Sequence, residues 1–394
     1  MKTLRFMWVG LSTFALLAGS ALAASFTWQV PNNGNWSVAG NWQGPPPSAP
    51  LMGGSNGYVL AFGDNGTPYV SANDLTDGAN PAFVLNQLQL SNSSAAISFI
   101  NGSPLLFTTN GGTLPSLDCV AGAGGGFTFS NAITFATNVT VGGAASSGTE
   151  RWYGAVTNLG TLTMTGAYTV ALSNANNNFV GPLVLNCAAG GELRADHLNA
   201  LRGSGNITIS NGTLRTTPLP DWDIAWYLAY NQSGRQGLVT GSGSAWTNRA
   251  SFYVARGASS SNNTLTEDSG GRFYCANGGF VGFGASFNSL IVTNGGQCTL
   301  GGNWGAVGNG GANNTLAVTG TGSVLRVPVN FLAVGGGRRQ CPADRKGRSV
   351  RRVCVPGRQQ RKRDCDEWWE DSGGERRRWA SHGWLRWGQL GQPQ

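Results

Sequence analysis

Short runs of alternating apolar and polar residues, separated by turns rich in glycine and asparagine, fill the chain from about residue 57 to residue 337. A typical run is Asn288-Ser-Leu-Ile-Val-Thr293, which the turn Gly295-Gly296 follows. Strict alternation bounded by turn residues predicts half-buried β-strands. No run has the three-to-four-residue apolar spacing of a helix, so the pattern predicts an all-β protein.

In the C-terminal half the pattern repeats with a period of 26 to 27 residues. A valine followed three residues later by glycine recurs at Val254-Ala-Arg-Gly257, Val281-Gly-Phe-Gly284, Val307-Gly-Asn-Gly310 and Val334-Gly-Gly-Gly337. A fixed period of this length indicates stacked units, and units made only of strands and turns favour a right-handed parallel β-helix, or β-solenoid. We therefore expect Leu265, Leu290 and Leu316, which follow the asparagine clusters of three units, to form one column.

The chain divides into four segments by composition. Residues 1–23 have the basic start, short apolar core and Ala21-Leu-Ala23 ending of a secretory signal peptide, and no other stretch is apolar enough to cross a membrane. Residues 24–50 carry Trp28, Trp36 and Trp42 and end in a proline-rich stretch. We interpret them as a terminal cap, rather than as exposed rings that stack on sugars, because repeat arrays need their first core layer covered. Residues 51–337 form the predicted repeat array.

The last segment, residues 338–394, departs from this composition. The formal net charge of +8 comes from this tail, since residues 24–337 hold nine arginines, no lysine and eleven acidic residues. A basic arm for an acidic partner is one interpretation. We prefer another, that the tail is read in a shifted frame, because moving the frame by one base turns every Trp codon into a Gly codon. On that interpretation the tail is disordered and functionless, and no nucleic acid is a partner.

The middle of the array resembles a known family. The matching segments are Gly160-Thr-Leu-Thr-Met-Thr-Gly166, Asn178-Phe-Val-Gly181, Gly191-Glu-Leu-Arg-Ala195, Asn199-Ala-Leu-Arg-Gly-Ser-Gly205 and Ile207-Thr-Ile-Ser-Asn-Gly-Thr-Leu214. They resemble the autotransporter-associated β-strand repeat of large secreted passenger proteins from Gram-negative bacteria. The resemblance implies a secreted or outer-surface β-helix. We expect no segment of this sequence to form the C-terminal translocator barrel of that family.

Few residues have the grouping that catalysis or metal binding needs. Asp221 and Asp223 are the one acidic pair at alternate positions of the array, and alternate strand residues have a separation that suits two glycosidase carboxylates. The nearest basic residues, Arg215 and Arg235, lie outside that short strand, so a glycan-stacking patch with the adjoining Trp222, Trp226 and Tyr227 is favoured over catalysis. His197 is a lone surface histidine, and the cysteines lack zinc spacing. Cys275 and Cys298 lie in adjacent coils and are expected to be two positions out of register. The sequence is compatible with a disulfide between them and with two free thiols.

From these observations we expect a non-enzymatic, adhesin-like surface scaffold without cofactor, metal or catalytic residue. Its partners would be surface glycans or extracellular matrix. The alternative is a polysaccharide-binding or polysaccharide-degrading β-helix centred on Asp221 and Asp223.

Overall fold

The computed structural model describes residues 23–63, 66–78, 81–91, 97–121, 126–197, 200–201, 203–216, 225–302, 304–328 and 331–334, together with residues 368–370 and 376–378. All but the last residue of the predicted signal peptide and most of the tail lie outside the described residues, as do Asp221, Trp222 and Asp223. Among the described residues, no helix is long and apolar enough to cross a membrane.

Strands and tight turns make up almost all of the described chain. The first strands are β1 (Ala24–Thr27), β2 (Gly34–Asn35), β3 (Tyr58–Phe62), β4 (Val70–Asn73), β5 (Phe83–Leu85), β6 (Gln87–Ser91), β7 (Ile97–Gly102), β8 (Leu105–Phe107), β9 (Ser116–Ala121), β10 (Gly126–Phe129), β11 (Ile133–Phe135) and β12 (Val139–Gly142). A 3-10 helix, Ala39–Asn41, lies between β2 and β3. The next strands are β13 (Thr149–Trp152), β14 (Val156–Asn158), β15 (Leu162–Met164), β16 (Thr169–Leu172), β17 (Asn178–Phe179), β18 (Leu183–Asn186), β19 (Glu192–Ala195), β20 (Ile207–Thr216), β21 (Ala225–Tyr230), β22 (Gln236–Thr240), β23 (Ser244–Asn248) and β24 (Ser251–Arg256). The last are β25 (Thr264–Asp268), β26 (Arg272–Cys275), β27 (Gly279–Val281), β28 (Ser289–Val292), β29 (Gln297–Leu300), β30 (Trp304–Val307), β31 (Thr315–Val318), β32 (Val324–Arg326), β33 (Phe331–Val334), β34 (Trp368–Glu370) and β35 (Arg376–Arg378).

The strands form a rod with three faces, because most coils contribute one strand to each face in turn. The first face consists of β1, β3, β6, β9, β12, β15, β18, the first half of β20, β22, β25, β28 and β31. The second consists of β2, β4, β7, β10, β13, β16, β19, the second half of β20, β23, β26, β29 and β32. Every one of these pairings is parallel, so the predicted right-handed parallel β-helix is confirmed.

The register of the coils follows the predicted period. Leu265 pairs with Leu290, and Leu290 pairs with Leu316, so the predicted leucine column is confirmed. All three side chains are buried, since alternation sends one side of each strand into the rod. At the corners between β25 and β26 and between β28 and β29, Gly270 and Gly295 both have φ of 83°. Glycine adopts this left-handed conformation without steric cost.

The first coils are filled by aromatic rings. Trp28, Trp36 and Trp42 are all buried, and the ring of Trp42 packs edge-on against those of Trp28 and Trp36 at 5.1 and 5.9 Å between centroids. Each indole N–H has an acceptor: Trp28 donates to Asn32 O, Trp36 to Ser71 Oγ and Trp42 to Trp36 O. Because the rings are covered and satisfied, their arrangement favours the cap interpretation over an exposed sugar-stacking surface.

The two thiols considered for a disulfide are both free. Phe273 pairs with Cys298 and Cys275 pairs with Leu300, so the predicted offset of two positions is present. Both cysteines are buried without a disulfide. In the tail, β34 and β35 form an antiparallel pair.

Candidate functional site

The third face is interrupted partway along the rod. One five-stranded sheet runs from β5 to β17, and a second runs from β21 to β33. In the intervening coil, the described residues between β19 and β20 form turns and irregular backbone rather than a strand on this face. A cavity of about 580 Å³ lies at the break, and its walls include Asn178, Gly203, Trp226, Tyr227, Gln232 and Arg256. The interruption is therefore where the rod offers a concave surface.

Strand β21 places residues on both sides of the sheet at this cavity. Trp226 is only 4% exposed and belongs to the main core. Tyr227, the next residue, lies on the outer side and is half-buried. Since Tyr227 pairs with Tyr253 in β24 and Tyr253 pairs with Phe280 in β27, three aromatic rings form a column across successive coils. We call Tyr227, Tyr253, Phe280 and Phe283, with Arg256, the outer aromatic patch.

Ring contacts within the outer aromatic patch are close. The rings of Tyr253 and Phe280 stack with a centroid distance of 4.4 Å and an angle of 13°. The ring of Tyr227 lies 5.3 Å from that of Tyr253, and the ring of Phe283 lies edge-on to Tyr253 at 5.6 Å. Burial raises the pKa of Tyr253 above its usual value, and the neighbouring charge of Arg256 opposes that rise. The phenol is therefore neutral at physiological pH.

Arg256 brings a positive charge to this cluster, in which Tyr253 and Phe280 are buried and Tyr227 and Phe283 are partly buried. Its Nη1 donates to the Tyr227 hydroxyl at 2.9 Å. The guanidinium carbon lies 5.8, 5.3 and 5.5 Å from the ring centroids of Tyr227, Tyr253 and Phe283, which are cation–π distances. In the part of the chain that the structure describes, the ion pairs are Arg194 with Asp196 and Arg215 with Glu192, so no described carboxylate neutralises Arg256.

The residues that the sequence predicted for a binding site do not all lie together at the cavity. Trp226 and Tyr227 both line the cavity, but Trp226 is packed into the core and only Tyr227 reaches the outer surface. The prediction for Asp221, Trp222 and Asp223 falls outside the described residues. Sequence reasoning missed Arg256 and Phe283, which pair with each other across neighbouring coils and follow Tyr230 in register. In the sequence, Arg256 and Phe283 both occupy the third position of the repeated segments that begin with valine and end with glycine. That shared position could have shown that the two residues lie next to each other in neighbouring coils.

Other candidate groups do not assemble into a site. Within the described residues, no three His, Cys, Asp or Glu side chains come close enough to hold a metal ion. His197 is half-buried in the turn after β19. Burial raises the pKa of both Cys187 and Cys275 to about 11, so these thiols are protonated at neutral pH.

Two carboxyl groups are buried inside the rod. Glu150 accepts hydrogen bonds from Cys119 Sγ and from the backbone N–H of Phe127, both at 3.2 Å. Burial raises its pKa to about 8, and these two hydrogen bonds oppose the rise. Glu267 is fully buried, and neither of its carboxyl oxygens has a hydrogen-bond partner. Its pKa is raised well above the usual range by the loss of water, so both groups hold a proton at neutral pH.

Comparison with known proteins returned no match: no protein-family model, no curated protein and no solved structure is similar to this chain. The fold, the cavity and the outer aromatic patch are therefore the features of this protein that bear on its function.

Proposed function

We propose that this protein is a secreted, non-enzymatic scaffold of adhesin type that projects from the outer surface of a Gram-negative cell. The observation that carries the proposal is the unbroken stack of parallel strands on the first face, from β1 to β31. Each coil adds about 4.8 Å to such a stack, so each added coil makes the rod longer and carries its end further from the cell. Export and surface location are supported by the signal-like residues 1–23 and by the resemblance to passenger repeats.

A cell-fractionation experiment tests the location. The full chain is produced in a Gram-negative host, its N-terminus is sequenced, and intact cells are treated with protease. We expect cleavage after Ala23 and loss of the rod when protease is added outside the cell. Deletion of residues 2–23 is the matched control and should leave the protein protected in the cytoplasm. Retention of residues 1–23 by a protected protein would contradict the proposal.

A second candidate function is polysaccharide binding or degradation, and the cavity beside Tyr227 favours it. Saccharides bind in concave surfaces that combine aromatic rings with a few polar groups, and both are present here. The degrading form of this candidate assigns the acid and base to Asp221 and Asp223. Reducing-end release from a polysaccharide panel tests it, with the double variant Asp221→Asn, Asp223→Asn as control. Activity that the double variant loses would replace the scaffold proposal by an enzyme.

A further inference from the structure

Among the residues that the structure describes, no carboxylate forms an ion pair with Arg256. The side chain is half-buried among three aromatic rings, and its described hydrogen bond is to the Tyr227 hydroxyl. Withdrawing a guanidinium from water is costly, and cation–π contacts offset only part of that cost. An anionic group that arrives at this position gains an ion pair with a partly desolvated cation, which is stronger than a pair formed in open solvent.

The surroundings of Arg256 restrict what that anion can belong to. Tyr230, which precedes Arg256 in the same column, is 50% exposed, and its ring lies 5.2 Å from that of Tyr227. Two adjoining rings that reach solvent offer an apolar surface to the C–H face of a pyranose. The cavity lining also includes Asn178, Asn231 and Gln232, and a carboxamide can both donate and accept hydrogen bonds, as hydroxyl groups require.

We propose that the outer aromatic patch and the adjoining cavity bind an acidic saccharide, with a uronate carboxylate on Arg256 and the sugar ring against Tyr227 and Tyr230. A guanidinium presents several N–H groups in a planar fork, and one of these, on Nη1, is used by Tyr227. The remaining donors suit the two oxygens of a carboxylate. This inference rests on the polysaccharide-binding candidate function and adds the class of saccharide and the residues that bind it. It is independent of the rod's role as a scaffold.

The number of charges favours a saccharide over a nucleic acid. Nucleic-acid affinity comes from several phosphate contacts at once, which requires a cluster of basic residues. The cavity wall contains one arginine and no lysine among its described residues. A saccharide with one carboxylate on a sugar ring matches one cation beside two rings. The successive coils also align Tyr230, Arg256 and Phe283 along the rod axis, which suits an extended chain.

Isothermal titration of the full-length protein tests this assignment. The probes are a galacturonate oligosaccharide, a neutral maltooligosaccharide of the same length and a single-stranded oligonucleotide. We expect the galacturonate to bind, with an affinity that falls as sodium chloride is raised, and the neutral sugar to bind at least tenfold more weakly. Absence of galacturonate binding, equal binding of the neutral sugar, or tighter binding of the oligonucleotide would each overturn the proposal.

Three variants locate the site. Arg256→Gln should weaken galacturonate binding at least tenfold, and Arg256→Lys should recover part of the loss, since it restores charge without the planar fork. Arg272→Gln, which removes an exposed arginine on the second face, is the matched control and should bind as the wild type does. Unchanged binding by Arg256→Gln would refute the site. Small-angle scattering of the same samples reports rod length, so a failure of the scaffold proposal is seen separately from a failure of this one.

Discussion

The side-chain amide of Asn263 donates through Nδ2 to Oδ1 of Asn288, one coil further along the rod, at 2.9 Å. The same Oδ1 accepts the backbone N–H of Asn263 at 3.0 Å. Asn288 repeats both contacts with Oδ1 of Asn314, at 3.2 Å from its Nδ2 and 3.0 Å from its backbone nitrogen. We call these three buried residues the asparagine ladder. It satisfies backbone groups at the corner that precedes the first face, where no strand pairing is available.

Replacement of Asn288 by alanine should break the asparagine ladder in the middle. The backbone and side-chain donors of Asn263 would lose their shared acceptor, and an unsatisfied buried donor costs about 1–3 kcal/mol. We expect the urea midpoint to fall by the corresponding amount. Ser289→Ala, at the neighbouring outward-facing position, is the matched control. An unchanged midpoint for Asn288→Ala would show that water replaces the amide at no cost.

Glu267 offers a site for stabilisation. Its register partners on both sides are valines, Val239 and Val292, and its carboxyl oxygens have no hydrogen-bond partner. Glu267→Val should raise the free energy of unfolding by about 1–3 kcal/mol, because a buried unsatisfied group is replaced by one that fits the column. Glu267→Gln keeps a polar group there and should gain much less. A lower free energy of unfolding for Glu267→Val would mean that the carboxyl group contributes more stability than its burial costs.

Glu150 should make stability depend on pH. Its pKa rises from 4.5 in the unfolded chain to about 8 in the folded protein, so the folded state retains a proton that the unfolded state releases. Stability contributed by this group is therefore complete below pH 4.5 and is lost as the pH rises from 4.5 to about 8. The loss is on the order of a few kcal/mol.

Glu150→Gln removes this titration. The difference in melting temperature, Glu150→Gln minus wild type, should be larger at pH 8 than at pH 5. The control Thr149→Ser changes a neighbouring residue that does not titrate, so its difference from wild type should be the same at both pH values. A pH-independent difference for Glu150→Gln would contradict the raised pKa.

Phe287 has a backbone conformation that aromatic residues rarely adopt. Its φ is 61°, and the residues at the same place in the adjoining coils, Asn262 and Asn313, have φ of 56° and 54°. Asparagine tolerates this left-handed conformation, whereas a bulky side chain is strained there. The Phe287 ring is 55% exposed, so its removal forfeits little burial. We expect Phe287→Asn to stabilise the protein by about 1 kcal/mol, measured by urea unfolding.

Phe287→Ala separates the two contributions. It removes the ring but keeps a Cβ in the left-handed conformation, so it should gain less than the asparagine variant. A loss of stability in both variants would show that the ring makes contacts worth more than the strain.

The alternation of apolar and polar residues, together with the repeat period of the C-terminal half, determined the fold of this protein. A unit of 26 to 27 residues that buries one side of each strand can satisfy its apolar residues only against the same residues of the next unit. That is why spacing predicted the leucine column and the two-position offset of Cys275 and Cys298. The same spacing brings the asparagines of the ladder into contact. Such contacts link neighbouring coils, and the period specifies which residues of two neighbouring coils lie next to each other.

The outer aromatic patch was decided by the tertiary structure. Tyr227, Arg256 and Phe283 come from three coils and meet on the outer side of a sheet, where alternation predicts only a solvated face. The cavity lies at the break between β17 and β21, where the described residues of one coil form turns and irregular backbone instead of a strand. Periodicity describes what the coils share. A break is a departure from the period, and only the packed rod shows which side chains surround it.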